Sequence, residues 1–344
     1  MSEIGIGNVS VKPGTKARGF LKVANRVSGA PIGVPFFVVN GAEKGPVLCV
    51  DGCVHGDEYE GSEAVMNLGK TLKPEELKGI LIGVPVVNVA AFEAETRADP
   101  FDHERLNLNR VFPGDANGFI TQRIAYAYFN EIIRKSNYYI TFHGGGKTEY
   151  LCPLVQYQPS VAFGNREVGE QSQRLARAFG VEIIWKAAEE GDFPGDSIAE
   201  AEKIGIPSIC PELGAKCDRY RNRRLYVDMC MKGVLNVMKH LDMIEGQPEL
   251  PSVQTEVRGH IQHSDTGGLW IPEVMASDFV KKGDVIGRIV DPFYGDELNV
   301  VRASCEGIVV CIWAVPIIRA GEWTCFIGEV LSRIENRKQG NRGD

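Results

Sequence analysis

The stretch Pro46-Val-Leu-Cys-Val-Asp-Gly-Cys-Val-His-Gly-Asp-Glu-Tyr-Glu-Gly61 joins an apolar run to a polar turn and then to a helical pattern. The apolar run predicts a buried strand, and residues 61–70 have helical spacing. The polar turn therefore lies at the carboxyl end of a strand, where open α/β sheets place their sites. Within it, His55 and Glu58 are three residues apart, so an imidazole and a carboxylate can bind one metal ion from a single helical turn.

A third metal ligand is needed, because a catalytic zinc site usually has three protein ligands and a water. His143 is the best candidate, since it follows the apolar run 138–142 and precedes three glycines. It can meet the first pair only if the two strands are parallel. A lone histidine is more often a hydrogen-bonded structural residue, but the pair already at a strand end favours the metal. The other histidines occur in a charged loop, near a helix end and in a later β-like region: His103, His240, His260 and His263.

Strand and helix patterns alternate between residues 46 and 243, which predicts an α/β fold with a mostly parallel mixed sheet flanked by helices. Long loops are expected at 91–118 and 186–196. Strands are predicted at 46–50, 80–88, 138–142, 153–157, 181–185 and 206–211, and helices at 59–71, 120–135, 166–179, 195–204 and 223–242.

Three regions are predicted: a β-rich segment over 1–45, a catalytic domain over 46–243, and a smaller C-terminal β-barrel-like domain over 252–335. The last resembles the barrel of biotinyl and lipoyl carrier domains. Its Lys281 and Lys282 precede a Gly-Asp turn and do not stand at a hairpin tip, so we expect a lid or wall of the site and not a carrier. Tyr294 is an alternative substrate contact from this domain.

Composition limits the function classes. The net charge of −7 argues against a nucleic-acid partner, because phosphate contacts require a basic face. No signal peptide or membrane span is visible, and the nine cysteines include no Cys-x-x-Cys. This usage fits free thiols in a reducing compartment, so a cytoplasmic location is expected. Cys53, two residues before His55, is a rival metal ligand that strand geometry would direct to the opposite face.

Four short motifs occur in order: His55-Gly-Asp-Glu58, Leu106-Asn-Leu-Asn-Arg-Val-Phe-Pro-Gly114, Phe142-His-Gly144 and Pro211-Glu-Leu-Gly214. The set resembles the succinylglutamate desuccinylase and aspartoacylase family, a deacylase branch of the zinc carboxypeptidase superfamily, and the resemblance covers about residues 45–330. The resemblance implies a zinc-carboxypeptidase-like fold and one Zn²⁺ per chain, held by His55, Glu58 and His143.

The same resemblance implies roles for the remaining motif residues. Glu212 matches the catalytic glutamate, which would move the proton between water and the leaving amine. Asn109 and Arg110 match the pair that binds a substrate carboxylate, for which a guanidinium offers a planar fork. Arg97 matches the arginine that would stabilise the oxyanion. Arg105 competes for that role, although a loop salt bridge is the better interpretation of it.

Two positions depart from the family's pattern. Many members have aspartate where this chain has Asn107, and many have aspartate where it has Thr141. Groups of this kind orient and tune metal ligands, so the changes affect the expected substrate more than the expected metal.

The function predicted from these residues is zinc-dependent removal of an acyl group from a small N-acyl amino acid or related carboxylate. A zinc carboxypeptidase acting on short peptides is one alternative, and a non-enzymatic metal-binding or carrier protein is another. The expected partner is a small-molecule substrate, and homo-oligomerisation stays open. The acidic loop 189–196 is read as a solvated loop, or alternatively as a contact for a cationic end of the substrate.

Overall fold

The computed structural model describes residues 3–189, 191–215 and 217–336. The chain begins with a small hairpin and then two long antiparallel strands that lie at one edge of the main sheet. Their bounds are β1 (Ile4–Ile6), β2 (Val9–Val11), β3 (Thr15–Asn25) and β4 (Pro31–Asn40).

Strands and helices then alternate, as the sequence predicts. The elements are β5 (Glu43–Asp51), α1 (Glu60–Thr71), β6 (Lys78–Val84), α2 (Val89–Glu93), α3 (Ile120–Glu131), β7 (Tyr138–Thr141), β8 (Glu149–Leu151), β9 (Leu154–Tyr157), α4 (Arg166–Phe179), β10 (Ile183–Lys186), α5 (Ser197–Lys203), β11 (Ser208–Glu212) and α6 (Arg219–His240).

The C-terminal part consists of strands: β12 (Val253–His263), β13 (Gly268–Pro272), β14 (Phe279–Val280), β15 (Val285–Val290), β16 (Glu297–Arg302), β17 (Gly307–Trp313), β18 (Ile317–Ile318) and β19 (Trp323–Glu335).

The main sheet has the order β14-β17-β19-β12-β10-β9-β11-β7-β5-β6-β4-β3, with β8 added on β17. Its centre is largely parallel: β5 pairs in parallel with both β6 and β7, and β7 with β11. The pairing of β9 with β11 is antiparallel. The predicted fold class, a mixed and mostly parallel sheet flanked by helices with a smaller C-terminal sheet, is therefore confirmed.

Helices cover both faces of this sheet. On β5, Cys49 belongs to the core on the α3 and α5 side, and Val50 belongs to the core on the α1, α4 and α6 side. Neighbouring strand residues point to opposite faces, so a strand buried on both sides must be apolar throughout. This explains why residues 46–50 show no alternation of polar and apolar residues.

The central sheet continues into the C-terminal part. β12, the first strand after residues 244–251, pairs in parallel with β10 and antiparallel with β19. A separate four-stranded sheet, β16-β15-β13-β18, packs against it around a core that includes Trp270 and Ile286. The division into domains at 244–251 stays a prediction. Within residues 3–189, 191–215 and 217–336, no helix combines the length and apolarity that a membrane crossing requires.

Two helix boundaries differ from the prediction by four residues, and the others differ by two or fewer. α3 ends at Glu131, and a single 3₁₀ turn follows over residues 133–135. α6 begins at Arg219, earlier than the predicted 223. The early turn of α6 is polar and gives no apolar signal, but Arg219 Nη1 lies 2.6 Å from Glu60 Oε1 on α1, which ties this turn to the neighbouring helix.

Candidate active site

The metal-ligand candidates meet because β5 and β7 are parallel neighbours. Asp51 and Thr141 are in register at the ends of these strands, so the loops that follow them emerge side by side. His55 Nδ1 lies 2.8 Å from Glu58 Oε1, and His143 Nδ1 lies 2.9 Å from Glu58 Oε2. The two Nδ1 atoms are 3.0 Å apart. All three side chains are buried.

This group fits a metal ion by its donor set. Zinc bound at about 2.0–2.1 Å with tetrahedral geometry separates its ligand atoms by about 3.3 Å, close to the separations observed here. In the part of the chain that the structure describes, His55, Glu58 and His143 are the one group found whose ligand atoms could hold a metal. Burial lowers the pKa of His55 to about 3, so its imidazole is neutral, as metal binding requires.

Asn107 fixes the tautomer of His55. Asn107 Oδ1 accepts a hydrogen bond from the backbone N–H of Asn109 at 2.9 Å, which identifies this atom as the amide oxygen. The same oxygen lies 3.0 Å from His55 Nε2, so Nε2 carries the proton by inference from the hydrogen-bond network. The lone pair of His55 is therefore on Nδ1 and faces Glu58.

Glu212 stands at the end of β11, next to the third ligand candidate. The backbone N–H of His143 donates to Pro211 O at 3.0 Å, and the N–H of Leu213 donates to His143 O at 3.1 Å. Burial raises the pKa of Glu212 to about 8; the charge of His143 opposes this, and that of Glu58 adds to it. A carboxyl group with a pKa near neutrality can both accept and donate a proton, which suits general acid–base chemistry.

The predicted substrate-binding residues line the same cavity. Arg110 lies over the ring of Phe193, with its Cζ 4.0 Å from the ring centroid, and its Nη1 donates to Asn109 O at 2.6 Å. Asn109 Oδ1 accepts from the backbone N–H of Ser197 at 3.0 Å. These contacts hold a guanidinium at the cavity wall without using a carboxylate of the protein.

Arg97 also lines the cavity, and its Nη1 donates to Glu58 Oε1 at 3.0 Å. Arg105 is exposed and is not among the residues that line it. The geometry therefore favours Arg97 over Arg105 for a role at the reacting carbonyl.

Cys53 lies outside the metal-ligand group. Its Sγ donates to Glu58 O at 3.0 Å, and burial raises the pKa of the thiol to about 12. The thiol therefore supports the loop that carries Glu58. This agrees with the prediction that Cys53 is directed away from the metal ligands.

Sequence reasoning missed several cavity residues. Tyr294, the alternative contact from the C-terminal part, is 91% exposed and does not line the cavity. Side chains of β19 reach it instead, and antiparallel pairing over such a sequence distance leaves no local signal. The missed lining residues include Glu149, Gln156, Trp323 and Phe326. Phe193 and Asp196 of the loop 189–196, for which a substrate contact was the alternative interpretation, also line the cavity.

The fold is of the zinc-carboxypeptidase type. Thrombin activatable fibrinolysis inhibitor matches 65% of this chain and 69% of its own, with a TM-score of 0.50 at 14% identity, which shows the fold alone. The succinylglutamate desuccinylase/aspartoacylase catalytic domain matches residues 44–241. The chain belongs to the succinylglutamate desuccinylase/aspartoacylase family, and it is a hydrolase of the deacylase kind.

Individual relatives agree with this assignment. N-alpha-acetyl-L-2,4-diaminobutyric acid deacetylase of Halomonas elongata is 28% identical over 329 residues, which is 92% of each chain. The product-bound structure of the ectoine utilization protein EutE (DoeB) from Ruegeria pomeroyi has a TM-score of 0.84 at 25% identity, over 95% of this chain and 98% of that one. A succinylglutamate desuccinylase from Silicibacter sp. has a TM-score of 0.83 at 25% identity, over 95% of this chain and 100% of that one.

Proposed function

We propose that the protein is a zinc-dependent deacylase that hydrolyses the amide bond of a small N-acyl amino acid. The observation that carries this proposal is the convergence of His55, Glu58 and His143 with Glu212 at one end of the parallel sheet. The diaminobutyric acid deacetylase of Halomonas elongata, which is similar over 92% of its length, supports an N-acyl amino acid as substrate.

In this proposal, His55, Glu58 and His143 hold one zinc ion through Nδ1, a carboxylate oxygen and Nδ1. When bound, zinc makes a water acidic and polarises the acyl carbonyl. Glu212 takes the proton of the attacking water and later gives it to the departing nitrogen. The backbone hydrogen bonds that Pro211 and Leu213 form with His143 hold Glu212 beside this ligand candidate.

The arginines bind charge that the substrate brings or develops. Arg97 donates to the carbonyl oxygen as it becomes negative, and a preorganised donor in a closed site is effective there. Arg110 and Asn109 bind the substrate carboxylate, and the ring of Phe193 holds the guanidinium plane in place. The carboxylate thereby fixes the distance of the scissile amide from Glu212.

The relatives favour a single acyl amino acid over a peptide. The Halomonas elongata relative is named for deacetylation of N-alpha-acetyl-L-2,4-diaminobutyric acid, which supports the deacylase over the carboxypeptidase alternative. The carrier alternative leaves Glu212, which lines the cavity, without a role.

The test is hydrolysis of an N-acyl amino acid panel by the zinc-loaded protein, with Glu212→Gln as the variant. We expect Glu212→Gln to keep its zinc and its fold and to lose ~10²-fold or more in kcat, because proton transfer contributes about that much. Arg105→Ala, an exposed change outside the cavity, is the matched control. No turnover of any panel member by the zinc-loaded wild type would refute the proposed function.

A further inference from the structure

Glu149 is the acidic residue of the cavity that neither the metal group nor the acid–base step uses. It begins β8, just after the glycine turn that follows His143, and its backbone N–H donates to Gly145 O at 2.9 Å. A Cβ on Gly145 would lie 2.1 Å from Glu149 O, so the turn must be this tight. The turn places Glu149 at the cavity wall.

The other charged residues of the cavity and of the adjoining acidic loop have partners or assigned roles. Arg97 pairs with Glu58 at 3.0 Å, and Arg110 is the group assigned to the substrate carboxylate. Asp196 caps α5 by accepting from the backbone N–H of Ala199 at 2.6 Å. Asp192 in the acidic loop accepts from Trp185 Nε1 at 2.8 Å, so it supports the loop.

Glu149 has a much weaker partner. Its Oε2 accepts from Cys311 Sγ on β17 at 3.8 Å, and burial raises the pKa of that thiol well above its ordinary value, which keeps it a neutral donor. Among residues 3–189, 191–215 and 217–336, no arginine, lysine or histidine forms an ion pair with Glu149. The half-buried carboxylate of Glu149 therefore has no ion-pair partner among these residues, whereas charges removed from water are normally paired.

Aromatic rings line the same cavity. Trp323 and Phe326 of β19 meet edge to face there, with centroids 5.3 Å apart. Phe193 lies 5.8 Å from Trp323. The faces of aromatic rings attract cations, so the rings of this cavity favour a small ammonium group over a second carboxylate.

We propose that Glu149 binds a cationic group on the substrate side chain, so that the preferred substrates are N-acyl diamino acids. This inference rests on the proposed function, since it names the substrate class of the same site. Arg110 binds the carboxylate, the metal group and Glu212 act on the amide, and Glu149 binds the ammonium at the end of the side chain. Three contacts of alternating charge then orient one compact zwitterionic substrate.

The pKa of Glu149 supports this assignment. Burial raises it to about 7, with the charge of Arg97 opposing and that of Glu58 adding. An ammonium group beside the carboxylate offsets that effect and keeps Glu149 ionised in the complex.

The experiment compares three substrates on the zinc-loaded enzyme: N-acetyl-diaminobutyrate, N-acetyl-aminobutyrate, which lacks only the amine, and N-acetylaspartate. We expect the wild type to favour the diamino substrate in kcat/KM. Glu149→Gln should lose roughly 10- to 100-fold with that substrate, the range for a hydrogen bond to a charged group, and change little with N-acetyl-aminobutyrate. Glu149→Lys should shift the preference toward N-acetylaspartate.

The matched control is Glu182→Gln, a change of an exposed carboxylate just before β10 that does not line the cavity; it should leave all three rates unchanged. Equal losses with all three substrates in Glu149→Gln would assign Glu149 to catalysis or folding and overturn the inference. An unchanged preference in that variant would overturn it too. Both results leave hydrolysis by the wild type intact, so they are distinct from failure of the proposed function.

Discussion

At the scale of single residues, neighbouring polar groups stand near the two motif positions, 107 and 141, where this chain lacks the aspartate of many relatives. Asn107 keeps the orienting contact with His55 Nε2 at 3.0 Å, although an amide has replaced a carboxylate. Asp51, in register with Thr141 on the adjacent strand, accepts from Thr141 Oγ1 at 2.7 Å. The carboxylate that many relatives have at position 141 thus stands on the neighbouring strand. A neutral partner leaves His55 less basic than a carboxylate would.

The metal group gives the first residue-level prediction. His55→Ala, Glu58→Ala and His143→Ala should each lose the zinc, of which the wild type should hold about one ion per chain. Elemental analysis of dialysed protein measures this directly. His103→Ala is the control, because His103 is exposed, lies outside the metal-ligand group and pairs with Glu104 at 3.7 Å. Full zinc content in the His143 variant would remove that residue from the site.

Arg110 gives a second prediction, which concerns substrate charge. Arg110→Ala should raise KM by roughly 10- to 100-fold, the range for charge-assisted hydrogen bonds. Arg110→Lys should recover part of the loss, because an ammonium lacks the planar fork. The measurement compares an N-acyl amino acid with its carboxamide in wild type and variant. Equal use of acid and amide by the wild type would contradict a carboxylate contact at Arg110.

At the scale of elements, α5 is joined to α4 by a buried carboxyl group. Glu202 on α5 accepts from Ser172 Oγ on α4 at 2.5 Å and from Ser160 Oγ. Burial raises the pKa of Glu202 from 4.5 to about 8. The folded state therefore holds this proton more tightly than the unfolded state does. Stability contributed by Glu202 is lost as pH rises from about 4.5 to about 8.

Glu202→Gln should remove this pH dependence, because glutamine stays neutral. Above pH 8 the variant should be more stable than the wild type, on the order of a few kcal/mol. Near pH 5 this difference in the free energy of unfolding between the variant and the wild type should vanish. Thermal unfolding of both proteins between pH 5 and 9 measures the difference, with Glu200→Gln on the same helix as the control. A constant difference across that range would show that Glu202 does not titrate as described.

Elements with a strong local pattern were predictable, and those held by distant partners were not. The apolar run before His55 and the helical spacing after it place the end of β5 and both ends of α1 to within one residue, although β5 begins three residues before the predicted start. The polar first turn of α6 carries no periodic signal, and its contact with α1 decides where the helix begins. The metal-ligand candidates were found because each lies within a few residues of a strand end.

At the scale of the whole molecule, the cavity joins two distant parts of the sequence. The ends of β5, β7 and β11 supply the candidates for chemistry, and β19 supplies Trp323 and Phe326. The order of elements along the chain does not predict that these two parts lie together. β19 reaches the cavity because β12 pairs with both β10 and β19. Glu149 was missed for a related reason. Its surroundings include Cys311, which a distant part of the sequence supplies through the pairing of β8 with β17.

The residues proposed for chemistry and some of the residues that line the cavity lie in different parts of the chain, although one sheet carries both. The catalytic-domain match ends at residue 241, yet two rings of the cavity wall come from beyond residue 320. Mutations in that late region can alter which molecule is admitted while the metal ligands and the base remain as they are. Directed evolution of new acyl or amine selectivity would therefore start most economically from a library confined to β19 and the turn that precedes it.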